Sequence, residues 1–211
     1  MLKDRDGVRY YRAGSAASAI TDRDLDFLSV RDARAVLVTG VTALIGPGPH
    51  AAGLALLSTA SGVRIVDPNL RDGLWGSDRR VELVRAFVER SDLLLTGVDE
   101  LQEILGARST NTAVPGDEEL ARRAVTCGPR EVVVRGAGGV GALCDGAWRT
   151  IAIERRVAVD ATGAGDAFNA GYIAVRLRGG SIEDALRAAV RCGSAVTTAM
   201  SDTSAFPRSL A

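Results

Sequence analysis

Short β-branched apolar runs recur along this chain with one helix-length stretch between each pair, and that alternation limits the possible folds more than any other feature. Ala35–Thr39 (AVLVT) leads through turn residues into the alanine-rich helix predicted over Ala51–Ser61. The rhythm returns with a strand at Val63–Asp67, a helix from about Asp78 to Glu89, a strand at Asp92–Thr96 and a helix over Val98–Leu105. It returns again with a helix over Asp117–Cys127 and the strand Glu131–Arg135. Strands separated by single helices imply a mainly parallel sheet with helices on its faces. Two departures matter. Ala142–Cys144 and Trp148–Ile153, joined by Asp145-Gly146, predict a β-hairpin, because Asp-Gly suits a tight primed turn. After a strand at Val157–Val159, two successive helices are expected over Ala164–Arg178 and Ile182–Ala199, separated by Gly179-Gly180 and a Ser181/Asp184 capping box.

Charge and composition narrow the chemistry. The 26 basic and 26 acidic residues cancel and aromatics are 4%, so the footprint of a nucleic-acid binder is missing. Lys3 is the one lysine, which removes P-loop and pyridoxal chemistry, since both need an interior lysine. Cys127, Cys144 and Cys192 are odd in number and widely spaced; they fit neither a disulfide framework nor paired zinc ligands, and with no apolar leader or membrane-length run the expected location is the cytoplasm.

The most specific stretch is Val157 to Phe168, VAVDATGAGDAF, an apolar run opening through small residues into a helix. Glycines there let an anion approach the backbone, and the helix N-terminus offers free N–H groups and about half a positive charge. Asp166, in the first helical turn, is placed to take a proton from an alcohol aimed at a phosphoryl group, or simply to cap the helix. Asp67-Pro68-Asn69-Leu70-Arg71 follows a predicted strand, where open α/β sheets place ligands, although a Pro-Asn turn with a solvated arginine explains it as well. Near the start, Tyr10 and Arg12 would share one face of a strand, a pairing that suits an acidic sugar and equally an ordinary edge strand. Gly136-Ala-Gly138-Gly-Val-Gly141 spells a dinucleotide fingerprint, but a hairpin rather than a helix is expected after it.

The run Asp160 to Phe168 resembles the C-terminal signature of PfkB/ribokinase-family sugar kinases, with Ala161 a mild departure from the family pattern. The segments Tyr10 to Ser18 and Asp67 to Trp75 are similar to those of 2-keto-3-deoxygluconate kinases in that family. The resemblance implies a ribokinase-like α/β three-layer sandwich with a mainly parallel central sheet, lacking the N-terminal third. Residues 1–15 would then be a remnant of the lid and substrate-contact strands, and 16–211 the α/β domain. It further implies Asp166 as catalytic base and Gly163, Ala164 and Gly165 as an anion hole. Tyr10, Arg12, Arg71 and Asp202 would contact substrate. Arg135, Gly136 and Gly138, with Gly163 and Gly165, would lie against ATP. Asn69 and, through water, Glu100 would serve Mg2+, although Gly97 stands where the family has the asparagine of its Asn-x-x-Glu motif. The implied activity is ATP-dependent phosphorylation of a sugar acid such as 2-keto-3-deoxygluconate. The alternatives are a fructose- or ribose-type kinase, or a truncated non-catalytic sugar or nucleotide binder. The implied partners are small molecules, a sugar or sugar acid and ATP, with room for a homo-oligomer and with no nucleic acid and no membrane.

Overall fold

The structure, a computed structural model, describes residues 2–4, 7–9, 12–71, 74, 77–107, 116–136, 138–153, 158–198, 205 and 207. The chain divides into two compact units, Met1–Leu94 with Cys127–Pro129, and Leu95–Thr126 with Arg130–Ala211.

The first unit opens with the antiparallel pair β1 (Leu2–Asp4) and β2 (Gly7–Arg9). Arg12, expected on a strand, lies beyond β2: its carbonyl accepts the Ser15 N–H at 3.1 Å, and Ser15 caps a 3-10 turn over Ala16–Ala19. A run of small residues has too little side chain to pack on a sheet, so local hydrogen bonds prevail there. Helix α1 (Phe27–Asp32) is capped by Asp26, whose carboxylate accepts the Leu28 and Ser29 N–H groups. Then come β3 (Ala35–Thr39), α2 (Gly40–Leu44), α3 (Pro47–Thr59), β4 (Val63–Asp67), α4 (Arg80–Val88) and β5 (Leu93–Gly97). Helix α3 starts earlier than its alanine run suggests because Pro47 occupies its first turn, where a missing N–H costs nothing. Strands β3, β4 and β5 run parallel in that order, with Leu37 opposite Ile65 and Val66 opposite Leu94. Asp92 fastens the start of β5 to β4 by accepting from the Arg64 backbone N–H at 2.9 Å and from its guanidinium at 2.8 and 2.6 Å. Two glycines set the packing. A Cβ on Gly53 would collide with the Phe87 ring between α3 and α4, and one on Gly40 would overlap the Pro68 carbonyl oxygen.

The second unit takes up β5 from Leu95, then α5 (Val98–Ile104), α6 (Asp117–Val125), β6 (Glu131–Arg135), β7 (Gly139–Cys144), β8 (Ala147–Ala152), α7 (Ala164–Arg176) and α8 (Ile182–Val196). Its strand order is β5, β6, β7, β8, with β7 antiparallel to both neighbours. The hairpin forms as expected: Asp145 and Gly146 have φ of 48° and 75°, the left-handed pair of a primed turn. Ser181 Oγ accepts the Asp184 N–H at 3.1 Å and opens α8. The strand expected up to Val159 is absent at Ala158 and Val159. The Val159 N–H donates instead to the Thr197 carbonyl at the end of α8, at 2.8 Å, leaving Val159 61% exposed. Val157 lies outside the described residues. Among those described, no helix is long and apolar enough to cross a membrane.

One packing detail has a pH consequence. His50 stacks on Phe87 with ring centroids 5.3 Å apart, and its buried Nδ1 has no hydrogen-bond partner. Burial, with added repulsion from Arg79 and Arg90, holds its pKa below the usual imidazole value despite the Ala43 carbonyl nearby. The unfolded chain therefore binds this proton more readily, so the His50 contribution is intact above about pH 6.5 and is lost as the pH falls below it. Melting temperatures followed from about pH 7.5 down to about 5 should fall less steeply for His50→Gln than for the parent; equal slopes would show that His50 does not govern the acid limb.

Candidate active site

In the second unit the site is built at the start of α7. Asp160 Oδ1 accepts the Thr162 N–H at 3.0 Å, a turn that delivers the chain to Gly163. Gly163 is the N-cap in the left-handed region, with φ 80° and ψ −5°, where a Cβ would be strained. The Ala167 N–H closes the first helical turn on the Gly163 carbonyl at 2.9 Å. The N–H groups of Gly165 and Asp166 come before any intrahelical acceptor can reach them. Among the described residues nothing lies within 4 Å of where a Cβ on Gly165 would stand. The helix end thus meets open space with bare backbone, as an anion site requires. Asp166 is exposed in the same first turn.

A cleft of about 1070 Å³ adjoins this turn. Ala164, Gly165 and Phe168 form one side, and Val140, Ile153 and Val159 give it an apolar wall. Among the described residues Arg135 and Arg191 line it and no carboxylate does, so it suits a ligand with an apolar body and an anionic end. Arg135, at the end of β6, is held from three sides. Its Nη1 donates to Asn169 Oδ1 at 2.7 Å, its Nη2 lies 3.9 Å from Glu100 Oε2, and its guanidinium sits 5.7 Å from the centroid of the Phe168 ring. Glu100 Oε2 also accepts the Gly97 N–H at 3.0 Å and so caps α5.

The structure thus brings Gly163, Ala164, Gly165, Asp166, Arg135 and Glu100 together in one unit. Gly136 and Gly138 do not line the cleft. Gly136 makes a tight turn, its N–H on the Gly139 carbonyl at 2.9 Å, and its hydrogen leaves room for the Asp117 carboxylate. Gly141 likewise makes room for the Trp148 indole. The fingerprint-like glycines run into β7, and no helix follows them.

In the first unit, Asn69 follows β4 with φ 34°, in the left-handed region that asparagine tolerates. Its N–H donates to Asp67 Oδ1 at 3.2 Å, while its own Oδ1 is buried with no hydrogen-bond partner. An orphaned buried amide oxygen fits a role toward a hard cation or its water. Arg71 is exposed and Arg12 half-buried. Tyr10 and Asp202 lie outside the described residues, and Arg12 and Arg71 belong to the first unit while Asp166 belongs to the second. Among the described residues no three His, Cys, Asp or Glu side chains cluster as metal ligands. A cation that arrives with phosphate oxygens needs only one or two protein donors, so this donor set suits Mg2+.

Sequence reasoning missed Asn169, which is 2% exposed, and the wall that α8 presents through Val190, Arg191 and Ser194. The second had a readable signal, since these positions share one helical face.

The α/β sheet with helices on its faces, its penultimate helix opening on a glycine, has a ribokinase-like fold. The chain belongs to the pfkB family of carbohydrate kinases, whose model matches residues 3–208. It is 32% identical over 154 residues to 2-dehydro-3-deoxygluconokinase of Escherichia coli K12, covering 69% of this chain and 48% of that one. It is 29% identical over 206 residues to the enzyme of the same name from Thermoproteus tenax, covering 96% and 61%. A solved Escherichia coli structure described as a putative ribokinase II in complex with ATP and Mg2+ superposes with a TM-score of 0.82 at 20% identity, covering 97% of this chain and 65% of that one. The chain therefore spans about half to three-fifths of the length of these curated relatives.

Gly165→Ala separates stability from binding. Alanine suits a helix better than glycine by up to about 1 kcal/mol, so the melting temperature should hold or rise. The added methyl would stand in the anion space, and ADP affinity by calorimetry should fall by about tenfold or more, the loss expected for charge-assisted hydrogen bonds. Unchanged affinity would remove Gly165 from the phosphate site.

Proposed function

We propose that this chain binds ATP in the cleft beside α7 and serves the transfer of its terminal phosphoryl group to a hydroxyl of a sugar acid of the 2-keto-3-deoxygluconate type. The carrying observation is the start of α7, where the left-handed Gly163, the unobstructed Gly165 and Asp166 stand within one turn beside a cleft whose described lining holds two arginines and no carboxylate. Membership of a carbohydrate-kinase family and the named relatives support the reaction class.

In this reading Asp166 accepts the proton of the attacking sugar hydroxyl as its oxygen bonds to phosphorus and the bond to the ADP oxygen breaks. The N–H groups at Gly165 and its neighbours stabilise the charge gathering on the transferred group, and their fixed direction means that nothing reorganises during transfer. Arg135, already held by Asn169 and Glu100, adds a positive charge on the nucleotide side. Asn69 and Glu100 would hold Mg2+ or its waters, and the ion would neutralise phosphate charge. Arg12, Arg71, Tyr10 and Asp202 would contact the sugar acid, the arginines pairing with its carboxylate. Three widely spaced cysteines suit work in the reducing cytoplasm. A second reading, a sugar or nucleotide binder without turnover, is supported by the glycine at position 97, where the resemblance expects an asparagine.

Asp166→Asn keeps size and capping ability and removes the base. Turnover in an ADP-release assay should drop on the order of a hundredfold or more, with ATP affinity and melting temperature nearly unchanged. Turnover within about threefold of the parent would leave Asp166 a cap; a parent that binds ATP without any turnover would favour the binding reading. The sugar-acid assignment is tested at Arg71→Gln. Affinity should fall about tenfold for 2-keto-3-deoxygluconate and little for fructose, because a charge-assisted pair is lost only with the acid; equal losses would sink it.

A further inference from the structure

Helix α7 carries the candidate anion hole, yet little in its own sequence holds it along its axis. Its N-cap is a glycine, which has no side chain to lock the start. Its contact with α8 is smooth. A Cβ on Gly171 would come within 2.8 Å of the Ala188 carbonyl oxygen, and one on Gly193 within 3.1 Å of the Ala164 oxygen. Such small-residue packing sets the distance between two helices and adds few directional bonds along them.

Directional bonds come from β6, at both its ends. At the cleft end Arg135 donates to Asn169. At the far end Glu131 Oε1 accepts the Tyr172 hydroxyl at 2.6 Å and Arg176 Nε at 3.0 Å, while Oε2 accepts Arg176 Nη2 at 2.8 Å. Arg176 Nη1 continues to the Gly180 carbonyl at 2.8 Å and so grips the chain just past the helix end. Asn169, Tyr172 and Arg176 stand at i, i+3 and i+7 and therefore lie on one face of α7. Two separated attachments stop a rod from sliding and from pivoting.

We propose that the Glu131–Tyr172–Arg176 tie is a positioning device for the phosphate site at the start of α7, with Tyr172 a positioning residue that touches no ligand. The inference rests on the nucleotide reading of the cleft. The Arg135 attachment faces that cleft, so a bound ligand competes for it. The Glu131 tie lies at the opposite end of β6 and is independent of occupancy. Tyr172 is fully buried, and burial with the Glu131 carboxylate close by pushes its pKa far above the usual phenol value, so it remains a donor. Glu131 keeps both arginine bonds without it. Removing the hydroxyl therefore subtracts direction and leaves the ion pair in place. A shift of about 1 Å in catalytic geometry suffices for large losses.

Tyr172→Phe is the test, read by titration with ADP and with adenosine. A displaced helix start should weaken ADP by about fivefold, roughly the worth of one hydrogen bond, and leave adenosine within about twofold. Equal weakening of both, or a lower melting temperature with neither affinity altered, would overturn the proposal and leave the tie purely structural. Hydrogen exchange at the Ala167 amide separates this from the underlying reading. It should speed up by about tenfold in Tyr172→Phe while the core of α8 is unchanged. A parent that binds ADP no tighter than adenosine would sink the phosphate reading of α7, yet unchanged exchange at Ala167 would sink the positioning role by itself. Should Tyr172→Phe fail to fold, Arg176→Gln at the outer end of the same tie takes its place with the same expectations.

Discussion

The close approach of α7 and α8 is the contact on which the candidate site depends. It is possible only because Gly171 and Gly193 present bare backbone to the facing helix. The end of α8 then lies where the Thr197 carbonyl accepts the Val159 and Asp160 N–H groups, at 2.8 and 3.4 Å. Those bonds aim the chain into the Asp160 turn, the turn delivers Gly163 in the left-handed region, and α7 opens with the Ala164 N–H on the Ala161 carbonyl and the next two N–H groups ahead of any intrahelical acceptor. A larger residue at Gly171 would separate the helices, and the loop would lose its acceptor before any ligand-contacting residue changed. The site is thus a product of helix packing, and its chemistry follows from it.

Polar groups around Arg135 divide the same labour unequally. The bond to Asn169 at 2.7 Å is short and half enclosed, whereas the 3.9 Å approach to Glu100 lies beyond hydrogen-bond distance and is partly exposed. A hydrogen bond involving a charged group outweighs a loosely held, partly screened ion pair, so Asn169 does more to orient the guanidinium than Glu100 does. Glu100 is also occupied with the Gly97 N–H. That bond is made by a backbone N–H, which any residue but proline at position 97 would supply.

Features whose physics is local were legible in the sequence. Strand and helix alternation, the Asp145-Gly146 turn, the Ser181 cap and the glycine at the start of α7 each depend on neighbours a few positions away, and each appears where periodicity and turn chemistry put it. Features set by distant partners were not. Ala158 and Val159 read as strand because an apolar β-branched run suits one, but the Thr197 carbonyl captures the backbone and no strand competes. The glycine at position 136 reads as a nucleotide loop, whereas its missing side chain accommodates Asp117. Asn169 reads as one polar residue in a helix, and nothing nearby in sequence discloses that it faces Arg135.

Asn69 shows the limit of that division from the other side. Its place after a strand was readable, but its strain was not: a left-handed φ of 34° and a buried Oδ1 with no partner are both unfavourable. Leaving a buried acceptor unpaired costs about 1–3 kcal/mol, which a solvated Pro-Asn turn would avoid simply by rotating the amide outward. Gly40 packs beneath the Pro68 carbonyl, with no room between them for a side chain. The backbone is pinned one residue before Asn69, and Asp67 takes the Asn69 N–H one residue before that. An acceptor held in this way gives up little to hydration when a polar ligand group arrives, and that is the physical support for the proposed role of Asn69.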